Sequence, residues 1–263
     1  MSFLNVENKT FLITGVANKK SVAYHVAKTL LENGADCIFT VLNEDIKSKV
    51  LNLFPDKPIY ILDVEKTHEI EQLGHDLKSK NVMLNGFLHS IAFANYSEGI
   101  KPFHETKLED YLQATNISCF SLVSLSKALK PVLDQNSSIV TISISNTRAT
   151  NYGYLGPIKA SLDATVAYLA KSFSKDSSIR FNSVCAGPLK TSASAGIPGY
   201  IENYLFAEQL TMRHKALETS EVADSIVFLL SPKSSGINAS NLMIDAGMNA
   251  NYFDESVVKA FSS

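Results

Sequence analysis

The sequence predicts an α/β fold: a single doubly wound domain with about seven parallel strands and helices on both faces of the sheet. Short runs of β-branched and apolar residues alternate along the chain with segments of helical pattern, which is typical of parallel strands joined by crossover helices. Several of these runs are apolar throughout, as strands covered on both faces must be. The predicted strands are, in chain order, TFLITG, DCIFTVL, PIYILD, LNGFLHSIA, SSIVTISIS, IRFNSVCA and NLMID.

The first strand leads into a turn and a helix with recognisable ends. Gly15 closes the strand, Ser21 precedes the helix VAYHVAKTLLEN as an N-cap residue, and Gly34 follows it as a residue suited to left-handed backbone. The free amides at the start of this helix point to the carboxyl edge of the sheet, where phosphate is the usual occupant. Taken alone, this loop is a weak indication of a nucleotide site, because a single glycine after a strand is most often a plain turn.

No linker, repeat or low-complexity tract divides the chain, so residues 1–263 are expected to form one domain. The longest stretch without a clear strand or helix pattern begins at Pro188. Because such segments beside a strand end often cover a substrate, we expect residues 188–215 to form a lid within that domain.

Charge, cysteine spacing and hydropathy narrow the classes of function. The 24 Lys and Arg against 26 Asp and Glu give a net charge of −2 without a basic run that could follow a phosphate backbone, so we expect no nucleic-acid partner. Cys37, Cys119 and Cys185 form no CxxC pair, which favours buried reduced thiols and no metal site. The chain starts without a charged leader and has no segment near the ~18 apolar residues of a membrane span, so we expect a soluble cytoplasmic protein.

Further motifs follow the ends of the later predicted strands. Asp63 and Val64 follow the third strand, HSIAFA continues the fourth, NYGYLGPIK follows the fifth and AGPLKT follows the sixth. The loop after the first strand consists of a glycine, five residues, a serine, any residue and an alanine. From about Thr10 to Ala250, these motifs resemble the short-chain dehydrogenase/reductase superfamily, and most closely its enoyl-acyl-carrier-protein reductase branch.

The resemblance implies a bound nicotinamide dinucleotide. In that branch the serine of the first loop reaches the pyrophosphate, the residues after the third strand contact the adenine, and the segment after the fourth strand follows the ribose. The backbone and threonine of the AGPLKT segment hold the nicotinamide carboxamide. In this sequence the implied cofactor residues are Gly15, Ser21, Val22, Asp63, Val64, Ser90, Ile91, Ala92, Lys159, Leu189 and Thr191.

Each of these motifs also has an ordinary structural explanation. Asp63 suits a helix cap, His89 suits a hydrogen-bonded position in the core, and the glycine and proline of AGPLKT suit a plain turn. What favours the cofactor site is their order at the ends of successive strands, where open α/β sheets bind ligands.

The segment NYGYLGPIK offers two tyrosines before one lysine. Most of the superfamily places its tyrosine four residues before the lysine, where Leu155 stands here, whereas the enoyl reductase branch uses seven. The resemblance therefore implies Tyr152 and Lys159 as the catalytic pair and leaves Tyr154 as a pocket or packing residue. In such a pair the phenol hydrogen-bonds the enolate oxygen that forms when hydride adds to the β-carbon, and the ammonium holds the nicotinamide ribose.

Pro157 limits where the helix that contains Lys159 can begin, and so whether Tyr152 belongs to it. A proline is tolerated in the first turn of a helix but breaks an interior turn, so the helix that contains Lys159 should start no earlier than about Gly153 or Tyr154. We therefore expect Tyr152 to lie just outside the helix.

Three features depart from the branch. A second tyrosine that lines its acyl site is absent, and Ile144 stands in its place between Ser143 and Ser145, either of which is a candidate for the replacement hydroxyl. Asn116 falls where the wider superfamily keeps an asparagine in a proton relay, although a polar residue bonded to the helix backbone is an equal interpretation. The segment GIPGYIENYLFAEQL carries Glu202 and no lysine or arginine, where the branch commonly has basic residues that meet an acidic carrier protein.

Apolar residues suited to a fatty chain lie in and around the predicted lid, although ordinary packing under a loop uses the same residue types. The predicted acyl-pocket residues are Phe93, Leu155, Ala193, Ile197, Tyr200, Tyr204 and Phe206.

NADH is expected as the cofactor rather than NADPH, because the end of the second strand offers Asn43, Glu44 and Asp45 and no arginine that could pair a 2′-phosphate. The leading interpretation is NADH-dependent reduction of the 2,3 double bond of an enoyl thioester on acyl carrier protein in fatty acid synthesis, by a homotetramer. One alternative is a short-chain reductase of a carbonyl or another small substrate, in which Asn116 and a serine join the tyrosine and lysine. The other is a catalytically silent NAD(H)-binding homologue.

Overall fold

The computed structural model describes residues 3–191 and 194–260. Within them, seven parallel strands form one sheet in the order β3-β2-β1-β4-β5-β6-β7. The direction of the strand order reverses between β1 and β4, which creates the crevice in which sheets of this kind bind ligands. The strands are β1 (Thr10–Thr14), β2 (Asp36–Val41), β3 (Ile59–Ile61), β4 (Leu84–His89), β5 (Leu133–Ile144), β6 (Arg180–Ala186) and β7 (Ser240–Ile244).

Helices connect the strands and cover both faces of the sheet, so the predicted fold class is confirmed. A π-helical segment, Asn116–Phe120, joins α4 to α5. The helices are α1 (Val22–Glu32), α2 (Glu44–Leu53), α3 (Thr67–Ser79), α4 (Leu108–Thr115), α5 (Ser121–Leu129), α6 (Leu155–Phe173), α7 (Tyr200–Leu210), α8 (Thr219–Leu230) and α9 (Glu255–Ala260).

Alternate residues of strands β1 to β6 supply two separate hydrophobic cores. In β1, Phe11 and Ile13 belong to the core that includes α1 and α8, whereas Leu12 belongs to the core that includes α3, α5 and α6. Side chains of successive strand residues point to opposite faces, so a strand with helices on both sides is apolar at every position. This is why the predicted strands lack alternation with polar residues.

The ends of α1 are those that the sequence predicts. The Ser21 side chain accepts a hydrogen bond from the Tyr24 amide at 3.3 Å, and Gly34 takes a left-handed φ of 76° after the helix. The N-cap places the start of α1 directly after the β1 turn.

A buried arginine ties β6 to the end of α8. The Arg180 guanidinium donates hydrogen bonds to the backbone carbonyls of Leu229, Ser231, Ser234 and Ile237 at 2.8–3.3 Å. A cation suits this position because the carbonyls at a helix C-terminus lack intrahelical partners and carry partial negative charge.

The cysteines are buried and free, as predicted for Cys37, Cys119 and Cys185. Burial raises the pKa of the Cys37 thiol to about 12 and that of Cys185 to about 11. In residues 3–191 and 194–260, none of the helices has the length and apolar character needed to cross a membrane.

Candidate active site

The turn after β1 packs directly against the end of β4. Gly15 has a φ of 79°, and a Cβ atom on it would lie 1.8 Å from the backbone oxygen of Ser90. The Thr14 hydroxyl donates to the Leu88 carbonyl at 3.0 Å and accepts from the Ser90 amide at 2.9 Å. Glycine is therefore required for two of the predicted cofactor segments to meet.

The start of α1 fits a pyrophosphate group. Val22 and Ala23 hold the first helical positions, where backbone amides lack intrahelical partners, and the helix dipole favours an anion there. The Ser21 hydroxyl donates to the Asn18 carbonyl at 2.8 Å as well as capping the helix. In this structure the Ser21 hydroxyl shapes the loop and caps α1, and its contact with a pyrophosphate remains a prediction.

Asp63 forms a turn ahead of α3 and not the helix cap that its structural explanation predicted, because Lys66 holds the N-cap position of that helix. Its side chain accepts from the Glu65 amide at 3.0 Å and lies 3.4 Å from Lys66 Nζ, and its own amide donates to Glu69 at 2.7 Å. Val64 is buried in the core under α3. The adenine contacts of both residues remain predictions.

His89, at the end of β4, is a neutral core residue. Its Nδ1 lies 2.8 Å from the Thr141 hydroxyl, and its Nε2 lies 2.8 Å from the Ser121 hydroxyl. Because Ser121 donates its own proton to the Ile117 carbonyl, it accepts from the histidine, which places the ring proton on Nε2. Burial lowers the pKa of His89 to about 3, and the nearby charge of Lys159 acts in the same direction.

The segment after His89 is the one predicted to form a wall along the cofactor ribose. Ser90 and Ile91 are half-buried, whereas Ala92 and Phe93 are exposed. The Phe93 amide and carbonyl both bond to the Ser118 hydroxyl, at 2.9 and 3.0 Å. The π-helical segment after α4 thus holds this wall in place.

Tyr152 lies outside α6, as the position of Pro157 predicts. It ends a 3₁₀ turn, Thr150–Tyr152, and α6 begins at Leu155 after the N-cap Tyr154. Pro157 occupies the third helical position, where an amide would have no intrahelical partner.

The two candidate tyrosines have different surroundings. The Tyr154 side chain is buried, its hydroxyl donates to the Asn95 carbonyl at 3.0 Å, and its ring lies 5.2 Å from that of Tyr96. Tyr152 is half-buried, and its carbonyl accepts from the Tyr96 hydroxyl at 3.1 Å. Tyr154 is a packing residue, and Tyr96, which the sequence analysis missed, holds the backbone of Tyr152.

Burial also sets the protonation state of Tyr152. It raises the pKa of the phenol well above its ordinary value, and the neighbouring Tyr200 and Tyr96 act in the same direction. The phenol therefore stays protonated at neutral pH, as a hydrogen-bond donor to a developing oxyanion must.

Lys159 is buried one turn into α6. Its Nζ donates to the Ile142 carbonyl of β5 at 2.8 Å. Burial lowers the pKa of Lys159 to about 8, and Asp163 opposes that shift. Asp163 accepts from the Ser183 hydroxyl at 3.1 Å and lies 3.7 Å from Cys185 Sγ. The sequence analysis missed Asp163, although its spacing of four residues from Lys159 places it on the same helix face.

The candidate replacements for the absent second tyrosine are both buried at the end of β5. The Ser143 hydroxyl lies beside Asp163 and makes no hydrogen bond of ordinary geometry within the described part of the chain. The Ser145 amide donates to the Ala186 carbonyl at 2.8 Å. Asn116 begins the π-helical segment, a type of turn often found at functional sites.

The predicted nicotinamide segment after β6 meets the start of α7. The Tyr200 hydroxyl accepts from the Leu189 amide at 2.8 Å and donates to the Leu189 carbonyl at 3.0 Å. Ser194 Oγ donates to the same carbonyl at 2.8 Å, and the Thr191 amide donates to Ser194 Oγ at 2.9 Å. Ser194 and Tyr200, which lie further along the predicted lid, thus hold the backbone of Leu189 and Thr191.

The predicted acyl-pocket residues differ widely in exposure. Leu155 and Tyr204 are buried, Ile197 and Tyr200 are half-buried, and Phe93 and Phe206 are exposed by 44% and 51%. Ala193 lies outside the described residues. The structure places Tyr200 against the Leu189 backbone, and Lys190 Nζ lies 4.5 Å from the Tyr204 ring centre.

A seven-stranded parallel sheet of this order, with a buried lysine on the helix after β5, is the architecture of the short-chain dehydrogenases/reductases. The model of a family described as enoyl-(acyl carrier protein) reductase matches residues 15–249. The chain belongs to that family.

Close relatives support the assignment. The chain is 34% identical to the NADPH-type enoyl-[acyl-carrier-protein] reductase of Staphylococcus aureus over 258 residues, covering 94% of this chain and 99% of that protein. It is 35% identical to the NADH-type enzyme of Bacillus subtilis, covering 93% and 97%. The crystal structure of the NADH-type reductase of Aquifex aeolicus has a TM-score of 0.88 and 31% identity, covering 93% and 97%.

Proposed function

We propose that this chain reduces the 2,3 double bond of enoyl thioesters carried on acyl carrier protein, with NADH as the cofactor, in fatty acid synthesis. The observation that carries the proposal is the placement of a protonated Tyr152 just outside α6 and of a buried Lys159 one turn into the same helix. Membership of the enoyl reductase family supplies the reaction type.

The residues divide the chemistry between them. The bound reduced nicotinamide would supply a hydride to the β-carbon of the thioester. Negative charge then collects on the thioester carbonyl oxygen, and the Tyr152 phenol stabilises it by donating a hydrogen bond. The Lys159 ammonium would hold the ribose hydroxyls of the cofactor and add positive potential. A proton from solvent, added to the α-carbon, completes the reduction.

The end of β2 supports NADH over NADPH. The Asn43 side chain caps α2 by accepting from the Ile46 amide at 3.0 Å, so it has a structural role there. Glu44 and Asp45 lie in the first turn of α2, and Lys47 pairs with Glu44 at 3.4 Å. A 2′-phosphate at this edge would meet carboxylates and no unpaired arginine.

Leu42→Arg tests this preference. Leu42 directly follows β2 and is 55% exposed, so an arginine there adds a guanidinium at the end of β2, where sheets of this kind meet the cofactor ribose. We expect kcat/KM for NADPH to rise about tenfold, as one charge-assisted hydrogen bond gives. Leu51→Arg, on the exposed side of α2, is the matched control. An NADPH preference in the native protein would contradict the assignment.

Carrier protein is proposed as the acyl carrier on the strength of the family, although charge at the lid is atypical. The helix α7 carries Glu202 and Glu208 and no basic residue, and Arg213 pairs with Glu221 at 2.6 Å. We therefore expect docking of an acidic carrier to depend only weakly on salt.

The function is tested by comparing turnover of the same enoyl group on two different carriers. Crotonyl and longer enoyl thioesters are offered on acyl carrier protein and on coenzyme A while the loss of NADH absorbance is followed. The proposal expects turnover with both and a higher kcat/KM with carrier protein. Reduction of a ketone without reduction of either thioester would instead establish the carbonyl reductase, and NADH binding without any turnover would establish a silent homologue.

We further propose that the chain is a single domain and that residues 188–215 form its lid. We also propose that the protein is cytoplasmic and assembles as a homotetramer. Buried free thiols suit a reducing compartment. Large apolar side chains on α4 are exposed, among them Leu108 by 71% and Leu112 by 57%, which is typical of a surface that another subunit covers.

A further inference from the structure

Tyr200 satisfies both backbone groups of the residue predicted to hold the nicotinamide. Its hydroxyl accepts from the Leu189 amide at 2.8 Å and donates to the Leu189 carbonyl at 3.0 Å. Burial of the phenol raises the pKa of Tyr200, so the proton needed for the second bond is retained. The Tyr200 phenol oxygen thus hydrogen-bonds both the backbone amide and the backbone carbonyl of Leu189.

A nicotinamide carboxamide presents the same pair of functions. Its carbonyl accepts a hydrogen bond and its amino group donates one, so it matches the amide and carbonyl of Leu189. The phenol and the carboxamide cannot both use them, because the single Leu189 amide proton is already bonded to Tyr200.

We infer that Tyr200 is a built-in competitor for the nicotinamide, whose carboxamide binds the Leu189 backbone only after the lid has carried the Tyr200 hydroxyl away. The inference deepens the proposed function, on which it rests for the identity of the ligand. It makes Tyr200 a residue that sets cofactor affinity, rather than a wall of the acyl pocket.

The backbone before Tyr200 is suited to such a movement. Gly199 precedes α7 with a φ of 67°, and a Cβ added to Gly196 or Gly199 would meet no atom within 4 Å. In α7 itself, Tyr204 and Ala207 are buried, whereas Ile201, Leu205 and Phe206 are exposed. A short helix with few buried side chains, hinged at open glycines, moves at low cost in free energy.

Affinity follows from the population of the open form. When a ligand binds only an open form, the apparent Kd equals the intrinsic Kd divided by the open fraction. Tyr200→Phe keeps the ring but removes both hydrogen bonds to Leu189, so it raises the open fraction. We expect the Kd for NADH to fall about three- to tenfold, as the loss of one or two neutral hydrogen bonds implies.

The test compares NADH with ADP-ribose, which lacks the nicotinamide. NADH binding is titrated by its fluorescence and ADP-ribose binding by calorimetry, with the native chain, Tyr200→Phe and Tyr168→Phe. Tyr168 is 79% exposed on α6 and serves as the matched tyrosine control. The inference expects Tyr200→Phe to bind NADH more tightly than the native chain, while Tyr168→Phe binds it as the native chain does. The Kd for ADP-ribose should be the same in all three proteins.

Each other outcome overturns the inference. Unchanged or weaker NADH binding in Tyr200→Phe would show that the hydroxyl does not compete, and an equal gain for ADP-ribose would show a general opening of the lid. Because these are binding measurements, they stand apart from the proposed function: a chain that binds NADH as expected but reduces no enoyl thioester would fail the function test alone.

Discussion

At the scale of single residues, burial and the nearby Asp163 have opposite effects on the pKa of Lys159. Burial between α6 and β5 lowers its pKa to about 8, and the carboxyl group of Asp163, four residues further along α6, opposes that shift. Asp163 is itself fixed by hydroxyl and thiol groups of β6. The acidic side chain therefore helps to keep the ammonium form near neutral pH.

This arrangement predicts a pH profile and a way to move it. If the ammonium form is required, kcat/KM falls as the pH rises through about 8, because a group with a lowered pKa loses its proton earlier than an ordinary lysine. Asp163→Asn removes the opposing charge, so the basic limb of the profile shifts to lower pH. Asp176→Asn, which removes an exposed partner of Lys130, is the control and keeps the native profile. An unshifted basic limb in Asp163→Asn would contradict this role.

The residue-level predictions succeeded where one constraint dominates. Pro157 alone determines where α6 can begin, so the position of Tyr152 outside the helix followed from the sequence. Tyr96 and Tyr200 act through contacts with segments more than ten residues away along the chain, at Tyr152 and Leu189. No local pattern records such contacts, and only the packed structure reveals them.

At the scale of elements, the turn between β1 and α1 is the part of the site most completely encoded in the sequence. The N-cap Ser21 and the helix end at Gly34 were both predicted. The tight packing of Gly15 on Ser90 was not, because it joins β1 to β4, whose pairing depends on the strand order of the whole sheet.

Gly15→Ala tests how far this turn tolerates a side chain. The new Cβ would lie 1.8 Å from the Ser90 oxygen, in a backbone with positive φ, so the loop must shift. We expect the free energy of unfolding to fall by about 3 kcal/mol, and NADH binding to be lost. Gly236→Ala, where a Cβ would meet no atom within 4 Å, should change stability by less than about 0.5 kcal/mol. Chemical denaturation and NADH titration of both variants measure this, and native-like binding by Gly15→Ala would contradict the role of the turn.

The start of β5 and the presence of α7 are the features of the elements that depart furthest from the sequence prediction. β5 begins at Leu133, four residues before the predicted run, because Leu84 of β4 pairs with it across a register shift. The stretch after Pro188 contains α7, whose buried and exposed positions give almost no helical periodicity in hydrophobicity. Both depend on partners elsewhere in the fold, so the sequence pattern left them undefined.

At the scale of the whole molecule, the exposed apolar face of α4 predicts assembly. A homotetramer would have about four times the 28.7 kDa mass of one chain in light scattering. The double variant Leu108→Glu with Leu112→Glu places two charges in the proposed interface and should dissociate it, because burying unpaired charge is costly. Leu51→Glu, on exposed α2, is the control. A native chain that runs as a monomer at micromolar concentration would contradict the assembly.

The central claim is that Tyr152, rather than Tyr154, donates the hydrogen bond that stabilises the enolate. The most direct measurement is kcat for NADH-dependent reduction of an enoyl thioester by the native chain, Tyr152→Phe and Tyr154→Phe, with NADH affinity measured for each. We predict that kcat falls by about 10²- to 10³-fold in Tyr152→Phe, with NADH binding retained, as expected for the loss of one oxyanion donor. Tyr154→Phe, which loses a packing hydrogen bond to Asn95, should keep kcat within a few-fold of the native value. A collapse of kcat in Tyr154→Phe with little change in Tyr152→Phe would contradict the account.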